Sequence, residues 1–508
     1  MASPNPTAET TLTRRAVSGT AWSATSTVGR QILTLASVAT VARLLGPAAY
    51  GIMGMASLPI VFILNFRDLG TGSAIVQRLS VSSRLLSSLF WVNFSVGIAM
   101  ALVVIAASPL IAAFFHTPEL IPILSTLSLS FWFASCGIVP NSILIREMRF
   151  KSIALADIGS GLASYLIALG FAYSGFGVWS LVFASLTGSF TATLLYWLAC
   201  PWRPSREFDA EEVKSVTSFS LHLSGFGIVN YFARNADNII VGRVLGQSQL
   251  GNYQMAYNLM LQPIQNISSV IAQVTLPAFA KIQQDNERFG HAYIRSCMMI
   301  ALITFPVMAG LGVVADPLIR AVLGPKWIGA ILIFQILAPV GFLQSIPVGQ
   351  IYVAKGRTDW LFRWALVNTT LFVVAFLIGV RFGTVGVASA YCIVYLGLLM
   401  VPSFVVPFRL IGLKISEFAY ALLPQVLITA AMALLCVLWL HGLHAVGATN
   451  NWLRLLSTAL LGAFFYIAAL MIIRPPVMRV MEEVIGHSSN PSVLRILTSL
   501  RILRPATQ

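Results

Sequence analysis

The chain has 508 residues, of which 57% are hydrophobic and only 10% charged, and its formal net charge is +15. Soluble domains average about 25% charged residues, so this composition excludes an ordinary soluble globular protein and indicates a chain whose solvent is lipid. The excess of Lys and Arg does not indicate a nucleic-acid partner, because these residues stand in short gaps between apolar runs, where membrane proteins carry them.

The chain contains fourteen apolar runs, each about as long as the roughly 20 residues that cross a bilayer as a helix. The predicted windows are 17–42, 47–65, 85–107, 120–140, 153–173, 177–199, 216–241, 249–273, 297–315, 327–352, 362–380, 384–407, 418–440 and 453–473. The windows 216–241 and 249–273 are more polar than the others. The sequence therefore predicts an all-α polytopic membrane protein with about 14 transmembrane helices.

The distribution of basic residues predicts the orientation of these helices. With an even number of helices both termini lie on one side, so the connecting loops fall into two sets. Of the 32 Lys and Arg, 24 lie in the set that includes the termini and six in the opposite set, while Arg30 and Arg234 fall within predicted helices. Because cytoplasmic loops collect positive charge, we expect both termini to be cytoplasmic.

Weak internal similarity divides the chain into two halves. The segment RLLGPAAYG at 43–51 resembles RVLGQSQLG at 243–251, with the Arg, one Leu and two Gly repeated at an offset of 200. Two further matches follow in the same order at offsets of 207 to 209: Pro140 and Arg149 with Pro347 and Arg357, and Gly177-Val-Trp-Ser180 with Gly386-Val-Ala-Ser389. The common order and spacing indicate a duplication.

This duplication predicts the domain organisation. Because an offset of six helices gives both halves the same topology, we expect two six-helix lobes related by a pseudo-two-fold axis along the membrane normal. The predicted segments are an N-terminal lobe at 1–200, a cytoplasmic linker at 201–215, a C-terminal lobe at 216–410, two appended helices at 411–474 and a basic amphipathic tail at 475–508. The tail carries Arg495, Arg501 and Arg504 among leucines and isoleucines, so we expect it on the cytoplasmic leaflet.

Six segments distributed over the chain form a recognisable set: ARLLGPAAYGIMGMAS from residue 42, FRDLGTGSAIVQR from 66, PNSILIREMRF from 140, GVWSL from 177, NADNIIVGRVLG from 235 and YVAKGR from 352. Together they resemble the polysaccharide-transport (Wzx-like) branch of the multidrug, oligosaccharidyl-lipid and polysaccharide exporter superfamily. The resemblance implies a flippase of the bacterial inner membrane that moves an undecaprenyl-diphosphate-linked oligosaccharide to the outer leaflet by alternating access.

The same resemblance implies which polymers the transported lipid would supply and which partners the protein would have. The product would serve exopolysaccharide, capsule or lipopolysaccharide synthesis. The implied partners are the lipid-linked oligosaccharide, the lipid bilayer, and a polysaccharide polymerase with its export machinery. No cofactor is implied.

Arg30 lies near the centre of the first predicted helix, where a charge costs about 2.5 to 3.5 kcal/mol to insert. Its guanidinium presents a fixed fork of donors and stays protonated, which suits a diphosphate that crosses a region of low dielectric constant. The alternative is a structural pairing of Arg30 with an acidic residue. On the first interpretation Arg30 and Arg234 bind phosphate. Gln31, Asn230 and Asn238 would then contact the sugars.

Two carboxylates are candidates for roles inside the helices. Arg234 and Asp237 stand three residues apart on the seventh predicted helix, so both can share one face. They either form an ion pair, which lowers the cost of insertion, or line the cavity and contact the substrate. Asp157, near the cytoplasmic start of the fifth helix, could partner a cavity Arg or bind a proton or cation, although a position near a helix end favours a structural role.

Two groups of charged residues are predicted at the cytoplasmic side. Arg67 and Asp68 lie in the segment Phe66-Arg-Asp-Leu-Gly70, which interrupts the second helix and is either a gate or a turn. Arg149 and Arg357 occupy corresponding loops of the two lobes and could attract a lipid diphosphate to the side where it enters. The positive-inside rule alone also places them there.

The sequence contains no DxD, HExxH, P-loop or nucleophile-elbow motif, so we expect neither enzymatic activity nor a metal site. The main alternative function is a proton- or Na⁺-coupled multidrug or cation antiporter of the same superfamily, which needs acidic residues deep in the lobes. The mid-helix charges are Arg30 and the Arg234/Asp237 pair, which match an anionic substrate better. A third alternative, a structural scaffold in a polysaccharide-synthesis complex, predicts larger exposed loops.

Overall fold

The computed structural model describes residues 6–64, 70–78, 80–217 and 221–486, and within them the protein is helical and contains no β-strand. The prediction of an all-α protein is therefore confirmed. The chain divides into two compact units, Met1–Gly251 and Asn252–Gln508. The predicted six-helix lobes and their boundaries stay a prediction.

The long helices of the first unit coincide with the predicted apolar windows, and two short ones lie between these windows. They are α1 Pro6–Ser37, α2 Pro47–Leu64, α3 Thr71–Gln77, α4 Ser83–Phe115, α5 Leu120–Leu127, α6 Leu129–Arg146, α7 Phe150–Tyr173, α8 Trp179–Ala199, α9 Ala210–Thr217 and α10 Leu221–Leu245. A π-helical turn at Val38–Ala42 and a short helix at Arg43–Leu45 continue α1. Helix α11, Gln247–Lys281, begins in this unit and continues into the second.

The second unit contains nine further helices among its described residues. They are α12 Asn286–Val313, α13 Gly329–Gln344, α14 Gly349–Ala354, α15 Thr358–Gly379, α16 Gly383–Ile393, α17 Met400–Ile411, α18 Ile415–Ala445, α19 Asn451–Ile473 and α20 Pro476–Gly486. Shorter segments join them: Ala315–Leu318, Ile319–Leu323, Pro325–Trp327, Val380–Phe382 and the π-helix Val394–Leu399. The remainder of the predicted tail, 487–508 with its three arginines, lies outside the described residues.

Eleven helical stretches of the described chain are long and apolar enough to cross a membrane. One of them, Thr358–Ile411, has 54 residues, more than twice the length that one crossing needs, and it contains α15, α16 and α17. Helices α10 and α11 do not qualify, and they occupy the two windows that were the most polar in the sequence. The protein is therefore a multi-pass membrane protein, and the count of 14 crossings stays a prediction.

Small residues bring the helices of the first unit close together. A Cβ atom on Gly29 of α1 would lie 3.2 Å from the Ile158 side chain of α7, and one on Gly161 of α7 would lie 3.1 Å from Leu33 of α1. In lipid the hydrophobic effect does not drive helices together, so close packing over small residues supplies much of their association. This packing fixes α1 along α7.

Hydrogen bonds join the connection between α8 and α9 to the beginning of α4. The Ser205 backbone N–H donates to Ser87 Oγ at 3.0 Å, and Trp91 Nε1 donates to the Ser205 carbonyl at 2.8 Å. Arg84 and Glu207 add an ion pair at 3.1 Å, which is exposed on both sides and contributes little by itself. These bonds hold the segment against the helix ends.

Aromatic residues form the centre of the second unit. Phe279, Phe289, Tyr293, Phe408 and Phe418 are buried together between α11, α12, α17 and α18. The Tyr466 hydroxyl of α19 donates to the Leu302 carbonyl of α12 at 2.9 Å. The last two membrane helices are thus packed on α12 within this unit.

The two segments that repeat at an offset of 200 adopt the same turn. Gly46 has a φ of 82° and Gly246 a φ of 81°, a left-handed conformation that glycine adopts without a steric penalty. Each glycine precedes the first residue of a helix, which is Pro47 for α2 and Gln247 for α11. The sequence repeat therefore corresponds to a structural one at these positions.

The repeated glycines also produce a reciprocal contact between α2 and α11, which we name the glycine crossing. A Cβ atom on Gly51 would lie 1.7 Å from the Gln247 carbonyl oxygen, and one on Gly251 would lie 2.0 Å from the Pro47 carbonyl oxygen. Each glycine thus lies against the first residue of the other helix, the pairing that a two-fold axis generates. The two backbones are in direct contact.

Candidate functional site

A polar cavity of about 550 Å³ lies within the first unit, between α3, α6 and α8. Its polar lining includes Ser73, Gln77, Asn141, Ser189, Thr193 and Tyr196. Ligand sites usually have volumes of about 300 to 1,000 Å³, so this space is large enough for part of a polar head group. Its position among apolar helices makes it the leading candidate site among the described residues.

Small and polar residues on α6 and α8 shape this cavity. Gly137 of α6 allows α8 to approach, because a Cβ atom there would lie 3.0 Å from Thr193 Oγ1. Thr193 donates to the Phe133 carbonyl at 2.8 Å, which joins the two helices. The Asn141 side-chain oxygen is buried and accepts no hydrogen bond from the described part of the chain. It is available to a hydroxyl or amide donor of a ligand.

Asp157 is joined to the cavity through Tyr196. The Tyr196 hydroxyl donates to Asp157 Oδ1 at 3.0 Å, and the Ser26 hydroxyl donates to Asp157 Oδ2 at 3.0 Å. The carboxylate of α7 therefore links α1 to α8, and one of its donors also lines the cavity. Such hydrogen bonds offset part of the cost of placing an acid within apolar helices.

Arg30 lies one helical turn beyond Ser26 on α1, but its side chain is exposed and Gln31 is half-buried. Arg30 makes no ion pair with any residue that the structure describes, and Asp157 is not its partner. A structural pairing of Arg30 with an acid is therefore not observed among these residues. Its predicted role in binding phosphate stays a prediction.

Arg234 and Asp237 lie on α10, and among the described contacts no ion pair joins these two side chains to each other. The Arg234 side chain is exposed, whereas Asp237 is only 5% exposed and its Oδ1 accepts a hydrogen bond from the Asn238 backbone N–H at 2.7 Å. The Asn238 side-chain oxygen is buried and has no partner among the described residues. Asn230 lies on the same helix, and its side chain is outside the described part. Substrate contacts of these residues remain a prediction.

The predicted gate residues Arg67 and Asp68 lie outside the described residues. Arg149 forms an ion pair with Glu147 at 3.7 Å, and Arg357 forms one with Asp359 at 3.3 Å. Each arginine immediately precedes a helix, α7 in the first unit and α15 in the second. The two residues thus occupy equivalent positions, and their partly exposed pairs leave the charge near the solvent.

Two further basic residues have the same structural task in the two units. Arg146 Nη1 donates to the Ile75 carbonyl at 2.7 Å, near the end of α3, and Lys355 Nζ donates to the Gln283 carbonyl, just beyond the end of α11. Helix carboxyl ends leave carbonyl groups unpaired and favour positive charge. Desolvation lowers the pKa of Lys355, although Asp285 opposes this change. These two residues cap helices.

Sequence reasoning did not identify Ser26, Asn141 or Tyr196 as site residues. One signal was present, because Ser189, Thr193 and Tyr196 follow each other at i, i+4 and i+7 and form a polar stripe along an apolar helix. The sequence could therefore have indicated the cavity-facing side of α8. It could not have indicated that Asp157 accepts a bond from this stripe.

Comparison with known proteins gives three relevant similarities. A family model for "polysaccharide biosynthesis protein" matches residues 40–332, more than half of the chain. The chain is 30% identical to lipopolysaccharide biosynthesis protein WzxC of Escherichia coli K12, over 75% of this chain and 79% of WzxC. It is 28% identical to teichuronic acid biosynthesis protein TuaB of Bacillus subtilis 168, over 84% of this chain and 89% of TuaB.

A solved structure has the same fold. The lipid II flippase MurJ, in an inward closed conformation, superposes with a TM-score of 0.71 and 18% sequence identity. The match covers 89% of this chain and 98% of MurJ. At this level of identity the likeness concerns the fold alone.

Proposed function

The chain belongs to the polysaccharide biosynthesis protein family, and from this membership we propose that it is a flippase for lipid-linked oligosaccharides. It moves an undecaprenyl-diphosphate-linked repeat unit across the bacterial inner membrane by alternating access. The names of two relatives assign them to the biosynthesis of lipopolysaccharide and of teichuronic acid. Those names and the multi-pass architecture support a role in transporting a polysaccharide precursor.

The polar cavity of the first unit is the observation that carries this proposal. Moving a diphosphate and sugars through hydrocarbon is unfavourable because polar groups lose their hydrogen bonds to water. A cavity of about 550 Å³ that presents hydroxyl and amide groups among apolar helices replaces part of those bonds. The prenyl chain needs no such space, since it can stay in the lipid. The cavity therefore suits the polar head group of a lipid.

Arg30 and Arg234 are proposed to bind the diphosphate. Both are exposed side chains on helices, and neither forms an ion pair with a described residue. The charge of such an arginine is not compensated by a described acidic residue, so it can attract an anionic ligand and bind it through two parallel hydrogen bonds. Gln31, Asn230 and Asn238 are proposed to contact the sugars. Asp237 is proposed to hold the backbone at Asn238 in place, because its side-chain Oδ1 accepts a hydrogen bond from the Asn238 N–H.

Replacing Arg30 with alanine tests this assignment. We expect the initial flipping rate in proteoliposomes to fall by about tenfold or more, because a hydrogen bond to a charged group contributes about 1.5–3 kcal/mol. Arg30→Lys should retain an intermediate rate, since lysine keeps the charge but not the planar fork. Arg288→Ala is the matched control, because the Arg288 side chain is 80% exposed and pairs only with Asp285 among the described residues. Equal rates for Arg30→Ala and the control would contradict a role in binding.

An antiporter function has one observation in its favour. Asp157 places a carboxylate among the helices of the first unit, where it could exchange a proton or Na⁺ for a cationic substrate. The flippase proposal gives Asp157 a different role. Its bonds to Ser26 and Tyr196 join α1 to α8, and α8 lines the cavity. Exchange of a cationic drug for protons by the purified protein would favour the antiporter.

The basic residues support the orientation of the proposed flippase in the membrane, and the family supports its proposed partners. The excess of Lys and Arg in one set of loops supports cytoplasmic termini. With that orientation the substrate is collected from the cytoplasmic leaflet, near Arg149 and Arg357, and released on the outer side. A polysaccharide polymerase and its export machinery are the proposed downstream partners.

A further inference from the structure

The second unit contains a group of aromatic side chains that the proposed head-group cavity does not use. We name it the ring cluster, and its members are Tyr257, Phe372, Phe376, Tyr391 and Tyr395. They come from α11, α15, α16 and the π-helix Val394–Leu399. Phe372 lies 4.8 Å from Tyr391 and 6.3 Å from Tyr395 between ring centroids, and its ring is nearly parallel to that of Tyr395, at 13°.

The burial of the ring cluster is uneven. Phe376 and Tyr391 are 4% and 7% exposed and form its base. Tyr257, Phe372 and Tyr395 are half-buried, so part of each ring remains uncovered within the described chain. These three rings are therefore partly open to lipid or to a ligand.

Polar groups without charge lie beside these rings. Gln344 of α13 donates to the Tyr391 hydroxyl. Asn368 lies one helical turn before Phe372 on α15, and its buried side-chain oxygen has no hydrogen-bond partner among the described residues. A buried acceptor that lacks a donor is unfavourable unless a water molecule or a ligand supplies one. The site thus combines aromatic faces with at least one available amide.

The π-helix that carries Tyr395 is a further local irregularity. In a π-helix the backbone hydrogen bonds join residues i and i+5, which makes the helix wider than an α-helix. Such segments are rare and occur frequently at functional sites. Here the π-helix begins at Val394 and carries Tyr395 alongside Phe372. The backbone therefore departs from regular geometry where a half-buried ring is presented.

We propose that the ring cluster binds the sugar rings of the lipid-linked oligosaccharide, an inference that rests on the proposed flippase function. One face of a pyranose ring carries C–H groups of slight positive charge, which are attracted to the negative face of an aromatic ring. Its hydroxyl groups require donors and acceptors at the rim, and Asn368 and the tyrosine hydroxyls supply them. Because the cluster contains no charged side chain, it suits neutral sugars and not the diphosphate.

Binding of two lipids to the purified full-length protein tests this proposal. The probes are undecaprenyl diphosphate and the native undecaprenyl-diphosphate-linked oligosaccharide extracted from the producing cells. We expect the wild type to bind the oligosaccharide lipid about tenfold more tightly, the effect of one good stacking contact. Tyr395→Leu should lose most of this preference and keep its affinity for undecaprenyl diphosphate. Tyr395→Phe, which retains the ring face and loses only the hydroxyl, should keep most of the preference.

Control variants distinguish a failure of the proposed sugar site from a failure of the proposed flippase function. Tyr420→Leu, at a tyrosine that is 76% exposed on α18, should bind both lipids like the wild type. If Tyr395→Leu does not accumulate in folded form, Tyr257→Leu makes the same test. A wild type that binds both lipids equally, or a leucine variant that keeps the full preference, would overturn the sugar site. A wild type that binds neither lipid would instead count against the flippase proposal.

Discussion

Gly51→Ala is expected to destabilise the protein by about 2–3 kcal/mol, the upper part of the range for an overpacked interior. The added Cβ atom would lie 1.7 Å from the Gln247 carbonyl oxygen. This oxygen belongs to the backbone, so it cannot rotate away as a side chain does, and α2 and α11 must separate. The midpoint of thermal unfolding in detergent, followed by tryptophan fluorescence, measures the effect.

The matched control for this substitution is Gly170→Ala. Gly170 lies inside α7, where an added Cβ atom would meet no neighbouring atom within 4 Å, and alanine favours a helix by about 1 kcal/mol over glycine. We therefore expect an unchanged or slightly higher midpoint for Gly170→Ala. Similar midpoints for the two variants would mean that the glycine crossing does not require close contact.

The symmetry of the glycine crossing predicts how two substitutions combine. Once α2 and α11 have separated to admit one Cβ atom, the second has less to displace. The double variant Gly51→Ala/Gly251→Ala should therefore lose less stability than the two single variants together. Simple additivity would show that the two glycines lie in independent contacts.

Ala192→Trp is expected to reduce flipping of the lipid-linked oligosaccharide by more than about tenfold. Ala192 lines the polar cavity on α8, and an indole at this position occupies part of its volume of about 550 Å³ and obstructs the space beside Thr193 and Tyr196. The head group then loses the site that replaces its bonds to water, and each lost hydrogen bond is worth about 1 kcal/mol. Initial rates in proteoliposomes, at equal protein content, measure the effect.

Leu198→Trp is the control on the same helix. Leu198 is 70% exposed and does not line the cavity, so the same indole should leave the flipping rate within about twofold of the wild type. Both variants should unfold at similar temperatures. Equal, unreduced rates for Ala192→Trp and Leu198→Trp would show that the head group does not use this cavity.

The helical architecture was predictable because the membrane restricts the choice of structure. A chain in lipid must satisfy its backbone hydrogen bonds internally, so each long apolar run favours a helix. The apolar windows correspond to helices in the structure, including 216–241 and 249–273, which α10 and α11 occupy. Those two helices carry too many polar residues to qualify as spans by hydropathy. Composition alone could not decide whether these two helices cross the membrane.

The repeat was predictable in part. The glycines at 46, 51, 246 and 251 were visible as matches at one offset. Glycine is required at 51 and 251 because two helix backbones are in direct contact there. The spacing of residues could not show which helices make this contact. The hydrogen bond between Arg146 and the end of α3 could not be derived from spacing either, since it joins residues 71 positions apart in the sequence.

The candidate site was the least predictable feature. Asp157 was identified as a candidate acid near the start of a helix, but its two donors lie 131 residues before it and 39 residues after it. Nothing in the local sequence indicates such a contact, because a hydroxyl in a membrane helix usually bonds to the carbonyl one turn earlier. Thr34 does so with the Arg30 carbonyl. Hydrogen bonds between residues far apart in the sequence therefore position the side chains at this site.

Transport by the wild-type protein tests the central claim most directly. The measurement is the appearance of a labelled undecaprenyl-diphosphate-linked oligosaccharide in the opposite leaflet of proteoliposomes, compared with protein-free vesicles. Ethidium uptake against an imposed proton gradient is measured in parallel. A flippase should accelerate lipid translocation at least about tenfold over the vesicles alone and should not exchange ethidium for protons. Proton-driven ethidium transport without lipid translocation would contradict the account and identify an antiporter.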